Sequence, residues 1–161
     1  MAPWLEFTPF VSTRRAACLA IFDQNCPDFF APSERAGYER FLEESVDGYR
    51  VGLIDGRVAA AFGVTKTDVG GRCRLSWIMV GRDAQGRGVG RAIMADVLRQ
   101  AAASGAQWVD IAASHKSAAF FAKFGARERS RTNNGWAPGM HRIDMELPVS
   151  AGTRQTHRGS G

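Results

Sequence analysis

Residues 77–91 read Trp-Ile-Met-Val-Gly-Arg-Asp-Ala-Gln-Gly-Arg-Gly-Val-Gly-Arg, the most informative stretch of the sequence. An apolar run ends in a glycine-rich turn, and a helical pattern begins directly after the turn. The predicted helix covers about residues 88–104, and its apolar side chains fall on one stripe: Val89, Ile93, Val97, Leu98 and Ala101. The stretch therefore predicts a strand, a tight turn and an amphipathic helix in succession.

The turn is predicted to bind an anion. The first N–H groups of a helix have no partner within the helix, and the positive end of the helix dipole lies behind them. Gly86, Gly88 and Gly90 carry no side chains that would hold an anion away from those donors. Arg87 and Arg91 add positive charge. This combination is typical of a pyrophosphate site.

Two familiar phosphate motifs do not fit the spacing of the turn. A dinucleotide fingerprint, Gly-x-Gly-x-x-Gly, would need glycine where Arg91 stands. A P-loop beginning at Gly81 would need lysine and a hydroxyl residue where Arg87 and Gly88 stand. The pattern that does fit is Gln-x-x-Gly-x-Gly over residues 85–90. A nucleotide-binding turn and a plain strand-to-helix turn stay open as alternatives.

Length and composition indicate a single globular domain, expected over residues 1–148 and followed by a disordered tail at 149–161. The chain has 161 residues, of which 45% are hydrophobic and 23% charged. No apolar run approaches the ~20 residues of a membrane span, and no secretory signal is visible. The three cysteines are odd in number and irregularly spaced, which predicts free thiols, a cytoplasmic protein and no zinc site.

The formal charge of +5 is unevenly distributed along the chain. Residues 67–105 contain six arginines and three aspartates, whereas residues 23–47 contain seven acidic residues and two arginines. A positive region around the glycine turn favours a polyanionic cofactor, and an acidic region elsewhere favours a cationic small molecule. This polarity does not favour nucleic acid as the partner.

The remaining pattern predicts further strands and helices on both sides of the turn. Asp55-Gly56 is a strong hairpin signal, and residues 133–139 are expected to be the connection between the last two strands. The predicted strands are at about 5–11, 49–55, 58–66, 72–80, 108–113, 128–132 and 141–147, and the helices at about 12–22, from 32, at 88–104 and at 117–124. The order is β-α-α-β-β-β-α-β-α-β-β.

This order and two motifs resemble the GNAT superfamily of acyl-CoA-dependent N-acetyltransferases. The Gln-x-x-Gly-x-Gly pattern resembles motif A of that superfamily, and residues 117–126, Ser-Ala-Ala-Phe-Phe-Ala-Lys-Phe-Gly-Ala, resemble its Ala-x-x-Phe-Tyr-x-Lys-x-Gly-Phe helix. The resemblance covers roughly residues 5–147. It implies a mixed α/β (α+β) fold with a mostly antiparallel seven-stranded sheet, splayed after the fourth strand, and helices on both faces.

The resemblance also implies acetyl-CoA as the cofactor, with CoA as product. Carried onto this chain, it assigns Ile78, Met79 and Val80 to the pantetheine amides, Gln85, Gly86, Arg87, Gly88, Val89, Gly90 and Arg91 to the pyrophosphate, and Ser114 and Phe121 to the pantetheine arm. In such enzymes the amine attacks the thioester directly, so no covalent enzyme intermediate is needed.

The chain departs from the family pattern where protons are transferred. Phe121 stands where a tyrosine commonly protonates the thiolate, and phenylalanine cannot donate. His115 and Ser114 are the candidate substitutes, with His115 in the better pKa range. The central strand carries no carboxylate, so Ser76 is the candidate for holding a water that accepts the amine proton.

The acceptor is expected to meet the acidic N-terminal helices and the turn before the last strand. Candidate contacts are Asp28, Glu34, Trp77 and Trp136. The predicted function is transfer of an acetyl group from acetyl-CoA to a primary amine of a small molecule. A protein acetyltransferase and a noncatalytic acyl-CoA-binding module are the alternatives, and a homodimer is plausible for the superfamily.

Overall fold

The computed structural model describes residues 4–44 and 46–149, which form a layered α/β structure. Its strands are β1 Leu5–Pro9, β2 Tyr49–Ile54, β3 Arg57–Lys66, β4 Arg72–Val80, β5 Trp108–Ser114, β6 Arg127–Ala137 and β7 Met140–Pro148. Its α-helices are α1 Arg15–Gln24, α2 Arg35–Glu44, α3 Val89–Ala103 and α4 Ala118–Ala122. Short 3-10 turns precede α1, α2 and α3.

The strands form one seven-stranded sheet in the order β1-β2-β3-β4-β5-β7-β6. Each neighbouring pair is antiparallel except β4 and β5, which are parallel. The helix α3 supplies the crossover between those two strands, as a parallel connection requires. The predicted fold, a mostly antiparallel seven-stranded sheet in the GNAT order, is therefore confirmed.

Each face of the sheet carries its own hydrophobic core. On one face, Val89, Ile93, Val97 and Ala101 of the α3 stripe are fully buried, and Leu98 is partly buried against the same core. Helices α1 and α2 cover the other face with buried side chains such as Phe22 and Tyr38. The prediction of helices on both faces is therefore confirmed. Two layers of helices are needed because the apolar side chains of a central sheet point alternately to its two faces, and both faces must be shielded from water.

Strands β4 and β5 diverge halfway along their length. Their last paired residues are Leu75 and Ile111, although both strands continue beyond that pair. Just past the divergence, Trp77 and Ile78 on β4 together oppose the single residue Phe62 on β3. Such a bulge bends a strand and increases its twist. The predicted splay after the fourth strand is confirmed, and the bulge accounts for the bend of β4 where it leaves β5.

The connection expected at residues 133–139 is wrong in extent. β6 continues to Ala137, so the hairpin turn is only two residues long, and the ladder shifts register between Thr132 and Ala137. Two hydrogen bonds that involve side chains stabilise this extension of β6. The Oδ1 of Asn134 accepts the backbone N–H of Gly139 at 2.8 Å, and the backbone N–H of Asn134 donates to His141 Nδ1 at 3.0 Å. Turn-forming composition alone does not reveal these bonds.

The ends of the described chain bear on the predicted domain boundary. Val149 is buried and donates its N–H to the carbonyl of Gln107 at 2.9 Å. Residues 150–161 of the predicted tail lie outside the described residues. Within the described part, no helix is long and apolar enough to cross a membrane.

Candidate functional site

A cleft of about 600 Å³ opens where β4 and β5 separate. Residues 74–80 of β4 form one wall, and the ends of β5 and α4 form the opposite wall. The glycine turn contributes Gln85, Gly86 and Gly90 to the lining, and Phe30, Glu34 and Trp136, from the segments expected to meet the acceptor, line the cleft as well. The cleft therefore brings most of the predicted cofactor and acceptor residues together.

The open edge of β4 directs backbone groups into this cleft. Gly81 donates to the carbonyl of Ala59 on β3 at 2.7 Å, so the alternate residue Val80 turns its N–H and C=O to the other edge. Ile78 lies two residues earlier and faces the same way. The carbonyl of Val80 already accepts hydrogen bonds from other groups of the chain, so a ligand would meet its N–H and the backbone of Ile78.

Those bonds to Val80 come from two side-chain amides. Asn25 at the end of α1 and Gln85 in the turn each donate to the Val80 carbonyl at 3.0 Å. The backbone carbonyl of Asn25 in turn accepts the N–H groups of Phe29 and Phe30. Gln85 thus fixes the turn to the end of β4. Asn25 was missed by sequence reasoning, because a turn-forming asparagine carries no signal of its buried partners.

The turn has the conformation that the anion prediction requires. Gly86 and Gly88 have φ of +77° and +87°, and a Cβ on either would meet no atom within 4 Å. Gly90 differs, since its Cβ would come within 3.0 Å of the Phe120 ring. The first two glycines leave open space in front of the helix, and the third allows α4 to approach it.

The N-terminus of α3 presents free donors to that space. Ala92 donates to the carbonyl of Gly88, while residues 89–91 donate to no group in the described part of the chain. Arg91 is exposed beside them, and the exposed Arg87 rests on the Trp4 ring at 5.0 Å. The side chain of Val89 is buried in the core. Free N–H groups, the dipole and two cations fit a pyrophosphate.

A chain of buried hydroxyls holds the bulge of β4. Trp77 has φ of +47°, and its carbonyl accepts a hydrogen bond from Tyr49 at 2.8 Å. The Tyr38 and Tyr49 hydroxyls are also 2.8 Å apart. Because the only proton of Tyr49 goes to Trp77, Tyr38 is the donor to Tyr49. Burial raises the pKa of both phenols, which keeps them neutral and in this arrangement.

Of the predicted acceptor contacts, three line the cleft and one does not. Glu34 is half-buried there, and its Oε2 accepts the N–H of Ala31 at 2.7 Å. Partial burial raises the pKa of the Glu34 carboxyl, although this hydrogen bond opposes the shift. Trp77 stacks on Phe30 with ring centroids 5.9 Å apart. Asp28 is exposed outside the lining of the cleft.

Trp136 is the third acceptor contact in the cleft. Its indole N–H donates to the carbonyl of Ala113 at 3.0 Å, and the Arg142 guanidinium lies 4.9 Å from the ring. These contacts fix the ring at the end of β5. The extension of β6 described above places Trp136 on a strand and not in a loop.

The predicted catalytic residues separate into two groups. Ser76 lines the cleft, as do the candidate proton donor Ser114 and the predicted cofactor contact Phe121, both of which are buried. Ser114 Oγ accepts the N–H groups of Lys116 and Ser117, and so stabilises the start of α4. His115 is exposed beside the cleft, where its Nδ1 accepts the His141 N–H at 3.2 Å. The structure does not bring His115 to the lining.

Comparison with known proteins identifies the family of this chain. The model of the acetyltransferase (GNAT) family matches residues 18–126, about two thirds of the chain. The chain belongs to the GNAT acetyltransferase family. The resemblance stated from two sequence motifs is therefore confirmed, and the glycine turn of this GNAT domain lies inside the matched region.

Solved structures share the GNAT fold at low sequence identity. A GNAT-family protein from Desulfovibrio desulfuricans is 21% identical, with 90% of this chain and 99% of that chain covered at a TM-score of 0.76. The ribosomal-protein-S18-alanine N-acetyltransferase of Escherichia coli is 21% identical over 90% and 94% of the two chains, at a TM-score of 0.72. No curated protein matches this sequence.

A third structure bears on the cofactor. The protein yncA of Salmonella typhimurium is 13% identical over 90% of this chain and 94% of its own, at a TM-score of 0.69, and its structure contains its cofactor acetyl-CoA. Together with the family assignment, this supports the cofactor predicted from sequence. The open glycine turn and the free N–H groups of α3 in this GNAT domain fit the pyrophosphate of that cofactor.

Proposed function

We propose that this protein is an N-acetyltransferase that moves an acetyl group from acetyl-CoA to a primary amine of a small molecule, by direct attack in a ternary complex. The observation that carries the proposal is the single cleft of about 600 Å³ that joins the open turn at Gly86 to the half-buried carboxylate of Glu34. An anion site and a cation site that line one cleft suit a polyanionic donor and an amine acceptor.

The donor end of the cleft would hold the cofactor. The N–H groups at the start of α3, with Arg87 and Arg91, would bind the pyrophosphate, since a helix N-terminus favours negative charge. The backbone of Ile78 and the N–H of Val80 would pair with the pantetheine amides. When bound, acetyl-CoA supplies an acetyl group activated as a thioester.

The acceptor end would supply a neutral amine. In the reaction a nitrogen–carbon bond forms and the carbon–sulfur bond breaks. The bound ammonium loses two protons in all: one before the attack, which leaves the neutral amine, and one after it, which is balanced by the proton that the thiolate takes up. Glu34 would hold the ammonium and accept its proton, directly or through a water held by Ser76. The raised pKa of Glu34 makes it a better base than an exposed carboxylate. We propose that water donates the proton that the thiolate takes up, and His115 is the side chain to be tested as an alternative donor.

The shape of the acceptor end supports a small molecule over a protein. Phe30, Trp77 and Trp136 line it with aromatic surface around Glu34. A compact apolar pocket with a few polar groups is typical of small-ligand sites. A protein substrate would instead need an extended groove for its backbone.

Location and assembly are further parts of the proposal. Cys18 and Cys73 are buried free thiols in the described chain, which supports a reducing cytoplasm. A homodimer would have the free edge of β6 available, where residues 127–135 are all exposed. Sedimentation velocity at several protein concentrations tests that association.

Turnover with a panel of primary amines tests the enzyme assignment. Release of free thiol and mass spectrometry of the acetylated amine are measured together, so that hydrolysis is not mistaken for transfer. Glu34→Gln is expected to lower kcat at least tenfold with little change in acetyl-CoA affinity. Glu44→Gln, on the exposed end of α2, is the control. Acetyl-CoA binding without turnover of any amine would instead support a noncatalytic module.

A further inference from the structure

Arg74 is a cation of the cleft that the proposed reaction does not use. It lies on β4 between Cys73 and Leu75, whose side chains belong to the α3 core. Because side chains alternate along a strand, Arg74 points to the opposite face. That is the face covered by α1 and α2, and the segment that carries Glu34 leads directly into α2. Arg74 and Glu34 therefore line the cleft from the same side of the sheet.

The carboxylate that lies opposite Arg74 in the sheet is bound by another arginine. The register partner of Arg74 on β5 is Asp110, but Asp110 is bound by Arg72 at 2.7 Å. Arg72 also binds Glu146 at 2.8 Å, and Arg129 approaches both carboxylates at 3.8 and 3.4 Å. Two carboxylates are thus shared by two other arginines. Within the described chain, the guanidinium of Arg74 makes no ion pair and no hydrogen bond.

The carboxylate of Glu34 likewise has no ion-pair partner among the described residues. Its Oε2 accepts the Ala31 N–H, and no Lys, Arg or His of the described residues lies within ion-pair distance of its carboxylate. Nearby acids on the helices are paired, as Arg35 binds both Asp23 and Glu39. Two opposite charges therefore line one cleft without meeting each other or a local counter-ion.

We propose that the acceptor is a zwitterion, an amine that also bears an anionic group, such as an α-amino acid. Glu34 binds the ammonium, and Arg74 binds the anion through the planar fork of its guanidinium, which matches a carboxylate in two hydrogen bonds. The aromatic wall formed by Phe30, Trp77 and Trp136 contacts an apolar substituent between them. This inference rests on the proposed function and specifies its substrate class.

The phosphates of the cofactor are a poor alternative partner for Arg74. The glycine turn begins after Val80, six residues farther along β4. At about 3.3 Å per residue, the strand separates Arg74 from the turn by about 20 Å. The turn also has its own cations, Arg87 and Arg91. Arg74 is therefore placed for a ligand at the acceptor end.

Paired acceptors test the inference. Kinetics are measured with α-amino acids and with their carboxamides, for example L-methionine against L-methioninamide and L-phenylalanine against L-phenylalaninamide. Each amide keeps the amine and the side chain but removes the anion. We expect kcat/KM of the wild type to favour the acid at least tenfold, and Arg74→Gln to reduce the acid-to-amide ratio at least tenfold from its wild-type value. Arg74→Lys should retain part of the preference.

Controls keep this test separate from the test of the enzyme assignment. Arg127→Gln removes an exposed arginine of β6 and should leave the acid-to-amide ratio unchanged. A ratio compares two substrates on one variant, so partial unfolding does not alter it. Equal rates for acid and amide in the wild type, or an unchanged ratio in Arg74→Gln, would overturn the zwitterion proposal alone. Failure to acetylate any amine would overturn the proposed function, and this inference with it.

Discussion

The hydroxyl of Tyr49 is expected to hold the bulge of β4, and Tyr49→Phe removes that hydroxyl with little change in shape. Two hydrogen bonds of 2.8 Å disappear, one to the Trp77 carbonyl and one from Tyr38. The Trp77 carbonyl is then left unpaired, and the hydroxyl of Tyr38, which is fully buried, keeps only the Cys18 thiol as a partner. At about 1–3 kcal/mol for each unpaired buried group, we expect a loss of about 3 kcal/mol in the free energy of unfolding.

The matched control is Tyr38→Phe, which keeps the bond from Tyr49 to Trp77. It removes one donor and should cost about 1 kcal/mol. For a chain of this size, each kcal/mol corresponds to about 2–4 °C in Tm, so the two variants should melt about 4–8 °C apart. Circular dichroism during thermal and urea unfolding measures both values. Equal losses in the two variants would refute the role assigned to Tyr49.

Three further predictions concern the cleft. Gly88→Ala should weaken acetyl-CoA binding at least tenfold in calorimetry, whereas Gly56→Ala, at a similar φ of +75°, should cost similar stability, about 1 kcal/mol, and leave affinity unchanged. Because the pKa of Glu34 is raised, this carboxyl becomes protonated at a higher pH than an ordinary carboxyl. We therefore expect kcat/KM to decrease when the pH falls below the pKa of Glu34, and we expect Glu34→Gln to lack this decrease. His115→Ala should keep kcat within twofold, since His115 does not line the cleft; a lower kcat with unchanged acetyl-CoA affinity would restore it as proton donor.

The fold and the glycine-rich strand-to-helix turn were predictable because their signals are local in sequence. The glycines of the turn, the apolar stripe of α3 and the Asp55-Gly56 hairpin each specify a backbone conformation within a few residues. Gly86 and Gly88 have positive φ values in the structure, a conformation that glycine adopts without steric cost. The same locality explains the agreement of the predicted and observed order of strands and helices.

The parts that sequence did not reveal depend on contacts between distant residues. Tyr49 and Trp77 are 28 residues apart, and an apolar pattern contains no sign of the hydrogen bond between them. Asn25 bonds to Val80 across 55 residues. The availability of Arg74 depends on competition among arginines of β4 and β6 for two carboxylates. The spacing of these residues along the sequence does not indicate their contacts, which become evident only when the pairing of the strands is known.

Calorimetric titration of the protein with acetyl-CoA, ATP and NAD identifies the ligand of the glycine turn, on which the acetyltransferase proposal depends. Acetyl-CoA is expected to bind at one site per chain with micromolar affinity, at least tenfold more tightly than ATP or NAD. Gly88→Ala should abolish that preference. Tighter binding of ATP or NAD by the wild type would contradict the account, since the turn would then hold a nucleotide and the acetyltransferase proposal would lose its cofactor.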